Sequence, residues 1–303
     1  MSDDRGMAAT QSTLAATANI RGRGLFHGIP AKVRIHPAPE NHGIVFRRVD
    51  LTGRPKIDAS VDNVRRVPRR TVISDGGHAR VETIEHLMSA LAGLQVTNCL
   101  IDVSGPELPA VDGSALPYCE AILEAGLCAQ AAAASVVRMP QPIAAAEDSC
   151  GHRIEVTASP DHSWSITYRL EFDEEGRLPA QSCSVTLTPD VYLNEIAAAR
   201  TFVFAEEVET LQKNGFGKHL TESDLLVFDD QSQVVGNSLR WNDEPVRHKV
   251  LDCIGDLYLS GGFVDGTVIA YRSGHALNHV MAGILSPTRQ QATTDLEPDR
   301  LAA

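Results

Sequence analysis

The sequence predicts an α+β protein of two similarly built domains that meet through their helices. Three observations carry this. Strand-like segments with alternating apolar residues open each half of the chain. Each half then holds an apolar helix bearing histidine, a turn and an apolar strand: 83–93 then 98–103, and 244–259 then 266–272. Between the halves, Arg138-Met139-Pro140-Gln141-Pro142 breaks the pattern. The expected boundaries are therefore 14–137 for the first domain, 138–143 for a linker and 144–287 for the second. Identity between the halves is too low to establish a duplication.

Composition narrows the class. The chain is 43% hydrophobic and 22% charged, which fits a packed globular protein and not a disordered one. A formal net charge of −12 argues against a nucleic-acid or anionic-membrane surface, but leaves room for a local basic patch around an anionic small substrate. No apolar stretch has the length of a membrane span. Residues 1–13 carry Asp3, Asp4 and Arg5 without an apolar core, so they read as a disordered tail and not a signal peptide. Residues 288–303 read as a second loose tail. Cys99, Cys119, Cys128, Cys150, Cys183 and Cys253 are scattered, with no C-x-x-C pair. That points to free thiols in a reducing, cytoplasmic compartment, most of them small core residues.

Taken in order, 31–35 and 43–49 alternate about a Pro/Asn/Gly turn and read as strands. Gly22, Gly24 and Gly28 lie near the first turn; without a following helix they are a weak phosphate signal. Arg65, Arg66, Arg69 and Arg70 read as a solvated basic face, and 71–74 as a strand. In 83–93, Ile84, Leu87, Met88 and Leu91 recur at helical period, with Thr83 placed to cap the start and Gly93 marking the end. A buried strand at 98–103, a Pro/Gly-rich loop at 106–115 and a helix at 117–125 follow. The run of small residues at 129–137 leads into the connection around 138–142. In the second half, 153–158, 164–170 and 182–187 alternate as strands. Residues 199–230 combine a short strand at 201–204, a helix at 207–213 and a turn at Gly215 and Gly217. After helix 244–259 come Gly261 and Gly262, strand 266–272 and a helix at 276–284 that Pro287 stops.

The chemistry concentrates on the two apolar helices. His248 and Asp252 are four apart, so both lie on one helix face and can hold two corners of a tetrahedral zinc site. A lone H-x-x-x-D pair is ordinarily a hydrogen-bonded pair in a core helix, and a third ligand is needed. Glu85 and His86 occupy the first turn of the other apolar helix. If the two helices face each other, His86, His248 and Asp252 form a site with a fourth position for water. Glu85 is then placed to take a proton from that water. Asp256 lies on nearly the same face as His248. It could hold His275 as an imidazolium, serving as general acid or electrostatic stabiliser.

Five motifs in order resemble the UDP-3-O-acyl-N-acetylglucosamine deacetylases, the zinc amidases that commit lipid A synthesis. They are Thr83-Ile84-Glu85-His86-Leu87, Pro106 through Ser114 (PELPAVDGS), Arg200-Thr201-Phe202, Arg247 through Leu257 (RHKVLDCIGDL) and Ser273-Gly274-His275-Ala276-Leu277-Asn278. The resemblance implies a layered sandwich with sheets outside and helices between. It implies zinc on His86, His248 and Asp252, Glu85 as base, and His275 as acid or stabiliser positioned by Asp256. Thr201 would help hold the oxyanion, Phe202 would lie against the sugar, and Lys249 and Arg272 would meet the sugar and diphosphate. The acyl chain would enter an apolar passage built from an insertion in the second domain. Iron(II) suits the same ligands as zinc. The family's early turn usually reads G-x-G-L-H-x-G; here Phe26 stands at the histidine's place and His27 one residue later, aimed at the other face of a strand. The other readings are an amidase with an altered substrate and a non-catalytic sugar-nucleotide or lipid-binding protein. Intact Glu85 and His275 argue against the last, because binding alone needs no proton-transfer pair.

Overall fold

Two open sheets form the outer layers. In the first, Ala18–Arg23, Pro30–Pro37, Cys99–Val103, Ile44–Arg48 and Lys56–Asp58 lie side by side in that order. In the second the order is Ile143–Glu147, His152–Thr157, Phe263–Tyr271, Trp164–Leu170 and Gln181–Thr186. Numbered within each half, the strand order is 1-2-5-3-4 both times. In both, the last strand enters the middle, antiparallel to the second and parallel to the third. The shared rhythm of the two halves is thus a shared topology. The computed structural model describes residues 10–139, 141–147, 151–172, 178–222 and 224–287. Both expected tails fall outside it except for residues 10–13, and so does Cys150.

The inner layers are helical. Glu85–Gly93 is buried at every position, as a helix packed on both sides must be. Glu244–Tyr258 is buried except at Arg247 and Lys249. These two helices cross at Gly255, where a Cβ would strike the Glu85 carbonyl oxygen and crowd the Ser89 nitrogen. Glycine is therefore required by the closeness of the two backbones, and that closeness brings the first turn of one helix onto the middle of the other. Gly255→Ala should cost about 1–3 kcal/mol through overpacking, read as a fall in melting temperature of several degrees. The helices, lying between the two sheets, complete an α+β sandwich with one continuous core.

Several expectations are corrected. Residues 10–13, expected as tail, belong to a strand, Thr10–Leu14, that pairs antiparallel with Leu127–Ala133, which overlaps the run of small residues at 129–137. Alanine-rich sequence carries no alternation, so backbone pairing there leaves no apolar signature. Val136–Arg138 pairs parallel with the Phe263 end of the second sheet, and Arg138 is also the first residue of the linker expected at 138–143. Thr83 does not cap: its φ is 58°, the N-cap position is Ile84, and its hydroxyl meets Glu107 at 3.3 Å. Arg70 is not on a solvated face. It is buried against Glu82 at 2.8 Å, whereas Arg65, Arg66 and Arg69 are exposed.

Two smaller units flank the sandwich. A three-stranded sheet, Val64–Arg65, Val72–Ser74 and Arg80–Glu82, leads into the Glu85 helix. In the second half Phe202–Phe204, the helix Ala205–Lys213 and Leu226–Phe228 form a parallel strand-helix-strand unit with its own small core of Leu178, Phe204, Leu226 and Phe228.

Candidate active site

Where the two buried helices cross, three donors converge. Asp252 Oδ1 lies 3.4 Å from His248 Nε2 and 3.8 Å from His86 Nε2. The imidazoles stand at 88°, centroids 5.1 Å apart. His248 donates Nδ1–H to the Ala199 carbonyl at 3.0 Å, which leaves Nε2 with a lone pair toward the cluster. Asp252 Oδ2 accepts from Lys249 Nζ at 2.6 Å, whereas the buried Oδ1 has no hydrogen-bond partner among the described residues. A buried carboxylate oxygen without a donor is costly unless a cation occupies the place.

Charge states suit a cation. Burial pulls the His86 imidazole down to about 3 and lowers His248 as well, so both are neutral at pH 7. Burial alone would raise Asp252, but His248 and Lys249 outweigh it and hold the carboxyl well below its usual range. Two neutral imidazoles and one carboxylate, buried and within 4.8 Å of one another, match a three-ligand zinc set. The residues therefore fit the ion that the sequence pattern implies.

Two further titratable groups flank the cluster. Burial pushes Glu85 up to about 8, against the opposing pull of His275. Its Oε2 accepts the Thr71 N–H at 3.1 Å. His275, the first residue of the helix His275–Leu285, donates Nδ1–H to Asp256 at 2.8 Å. Burial would lower His275, yet the Asp256 and Asp252 charges raise it to about 9. Its Nε2 stands 4.0 Å from both Glu85 and Asp252. The Glu85 carboxyl and the His275 imidazole thus face each other beside the cluster.

The space beside the cluster opens into a cavity of about 590 Å³. Glu85, His86, His248, Asp252 and His275 line one part of it, with Thr201, Phe202 and Lys249. The rest is mainly apolar: Leu25, Phe26 and Val67 from the first half meet Val208, Leu211 and Phe216 of the strand-helix-strand unit, with Arg69, Gln212, Thr221 and Glu222 also in the lining. Thr201 is held on both sides of its peptide, by the Gly113 carbonyl at 2.8 Å and the Leu226 N–H at 2.9 Å. Phe202 stands 6.5 Å from the His248 ring. Lys249 faces Asp252. Asp256 lies behind His275, away from the cavity, and Arg272 does not line it; its N–H meets the Arg169 carbonyl at 3.0 Å with φ at 52°.

A family model described as UDP-3-O-acyl N-acetylglycosamine deacetylase matches residues 11–286. The chain belongs to this deacetylase family. Relatives named UDP-3-O-acyl-N-acetylglucosamine deacetylase include one from Xylella fastidiosa, 38% identical over 89% of this chain and 87% of its own length. Another from Neisseria meningitidis is 37% identical over 89% and 88%, and one from Xanthomonas campestris 36% over 91% and 89%.

Against the family's early-turn pattern, Phe26 is the departure, and its surroundings show how it is accommodated. The Arg70 guanidinium lies 4.3 Å from its ring centroid, and Phe216 packs edge-on at 5.8 Å. His27 turns aside to Glu82 at 3.2 Å and does not line the cavity. The sequence reading missed two features of this deacetylase. Arg200, read only as part of a motif, is buried and forms a two-pronged pair with Glu244 at 2.8 and 3.0 Å. Thr71, Asn278 and His279 surround Asp256. The i,i+4 spacing of His275 and His279 was the signal available for the last.

Proposed function

We propose that this protein hydrolyses the N-acetyl group of a UDP-3-O-acyl-N-acetylglucosamine, releasing acetate, with zinc as the resident ion on His86, His248 and Asp252. The observation that carries this is the partnerless Asp252 Oδ1 facing two neutral imidazoles on the wall of an apolar cavity. An ion there supplies Lewis acidity, lowering a water's pKa from 15.7 toward about 7 and polarising the amide carbonyl.

This chain's own groups do the rest. Glu85 takes a proton from the attacking water through the oxygen not held by Thr71. The water oxygen joins the acetyl carbon as the C–N bond breaks, and His275 Nε2 gives a proton to the leaving nitrogen. Asp256 keeps His275 protonated until then. Thr201, its backbone fixed at both ends, offers a hydroxyl to the developing oxyanion. Phe202 lies against the sugar, and Lys249 and Arg272 supply positive charge toward the sugar and diphosphate. The apolar part of the cavity takes the acyl chain. A binding protein would gain nothing from the buried Glu85–His275 pair, which favours the enzyme reading.

The test is acetate release from UDP-3-O-acyl-N-acetylglucosamines of several acyl lengths, before and after chelation and zinc add-back. Release should vanish on chelation and return with zinc. Release indifferent to chelation would sink the metal assignment. No release from folded, zinc-loaded protein at any acyl length would sink the activity.

A further inference from the structure

Asp256 has two carboxylate oxygens, and His275 uses only one. Oδ2 accepts from His275 Nδ1 at 2.8 Å and from Asn278 Nδ2 at 2.9 Å. Oδ1 accepts from the Thr71 hydroxyl at 2.6 Å and lies 3.2 Å from His279 Nε2. Thr71 and His279 also touch, with 2.9 Å between Oγ1 and Nε2. A hydroxyl has a single proton. Thr71 gives its proton to the carboxylate, so its oxygen is the acceptor and His279 donates Nε2–H. The carboxylate is fully buried and both of its oxygens are occupied.

Thr71 has a second attachment, since its backbone N–H holds Glu85 Oε2 at 3.1 Å. One residue thus links the carboxylate read as the base to the carboxylate that holds the acid. His279 follows His275 by one helical turn, its ring inclined at 25° to that of His275. Neither Thr71 nor His279 lines the cavity, so neither is placed to touch substrate.

We propose that Thr71 and His279 are positioning residues that fill Asp256 Oδ1 and so fix the direction in which His275 presents Nε2. This rests on the deacetylase reading above. With Oδ1 empty, the carboxylate can rotate about its Cβ–Cγ bond, and the imidazole tilts with it. Small misplacements of a reacting group carry large penalties in rate.

The test uses four zinc-loaded variants. Thr71→Val keeps the shape and the N–H to Glu85 but deletes the hydroxyl; Thr71→Ser restores it. His279→Ala deletes the donor; His279→Gln offers an amide N–H at a similar reach. Thr71→Val and His279→Ala should each lower kcat by about 10–100-fold, the range for partners that orient groups at a metal site. KM and zinc content should stay at wild-type levels. Thr71→Ser and His279→Gln should recover most of the rate. The double variant should lose less than the product of the single losses, because both groups act on one carboxylate. Unchanged kcat in either Thr71→Val or His279→Ala overturns the proposal, as does loss of zinc in step with loss of rate. A readout without substrate separates this from failure of the parent reading. The deshielded proton of the His275 Nδ1–H···Asp256 bond, seen by NMR, should shift or exchange faster in both deletion variants. An unmoved resonance rejects the positioning role even if the wild type proves inactive.

Discussion

Glu85→Gln protein should bind zinc as the wild type does and turn over about 10²–10⁴-fold more slowly, the range for loss of a positioned general base. Glutamine keeps an oxygen for the Thr71 N–H and fills the same buried space. What it loses is the ability to accept a proton. Metal content by atomic emission and kcat from acetate release check this, and wild-type turnover would remove Glu85 from the chemistry. The same variant carries a signature in the metal-free protein. Folded Glu85 titrates near 8, pushed up chiefly by burial, against an ordinary value of 4.5. Between those pH values the folded chain holds a proton that the unfolded chain has released, so this group's contribution to stability falls as pH rises through the window. Glu85→Gln has no such group. The stability difference, variant minus wild type, should therefore grow in the variant's favour from pH 4.5 to pH 8 and level off above. Taking the difference removes His86, which titrates near 3 when folded and gives the opposite slope in both proteins.

The largest loss of stability should come from Glu244→Ala, a change that touches none of the proposed metal ligands. Glu244 is fully buried at the first turn of the helix that bears His248 and Asp252. It accepts from Arg200 Nε and Nη2, the Arg200 N–H and the Arg240 N–H. Removing it leaves a buried guanidinium and two backbone donors without their acceptor. Breaking such a pair from one side costs about 3–5 kcal/mol, readable as a lower denaturant midpoint. Replacing both partners with apolar residues, Arg200→Met with Glu244→Leu, should recover much of that stability, because no charge is then stranded. Arg200 directly precedes Thr201 and Phe202, so the single variant should also blunt activity. A single variant as stable as the wild type would contradict the structural role of the pair.

The parts legible in sequence are those with a local period. The two apolar helices announced themselves by 3.6-residue spacing. Their facing arrangement followed from matching positions in the two halves, and the structure brings His86 to His248 and Asp252 accordingly. What stayed hidden is non-local or unpatterned. Thr71 meets His279 across 208 positions, and Arg200 meets Glu244 across 44; no spacing rule joins such pairs. Leu127–Ala133 pairs by backbone hydrogen bonds, with Gln130 tied to Asn98 and Ala38, and showed no apolar alternation. Arg70 was hidden by its company: three of the four clustered arginines are exposed, and only the fourth turns inward to Glu82 and Phe26.

The crossing of the two helices at Gly255 divides the three candidate ligands unequally between the halves. His86 arrives with the first, His248 and Asp252 with the second. A nascent or partly opened chain with only one half in place offers two donors at most, and grips an ion far less well than three. Tight loading of an ion there would therefore come last in assembly, after the halves have docked. An ion held by all three would act as a bolt across the seam, favouring the docked state by about 2.7 kcal/mol when free metal stands at a hundred times its dissociation constant. On that reading, starving the protein of metal would do more than silence its chemistry: it would loosen the joint between the halves and expose the chain to proteases during each opening.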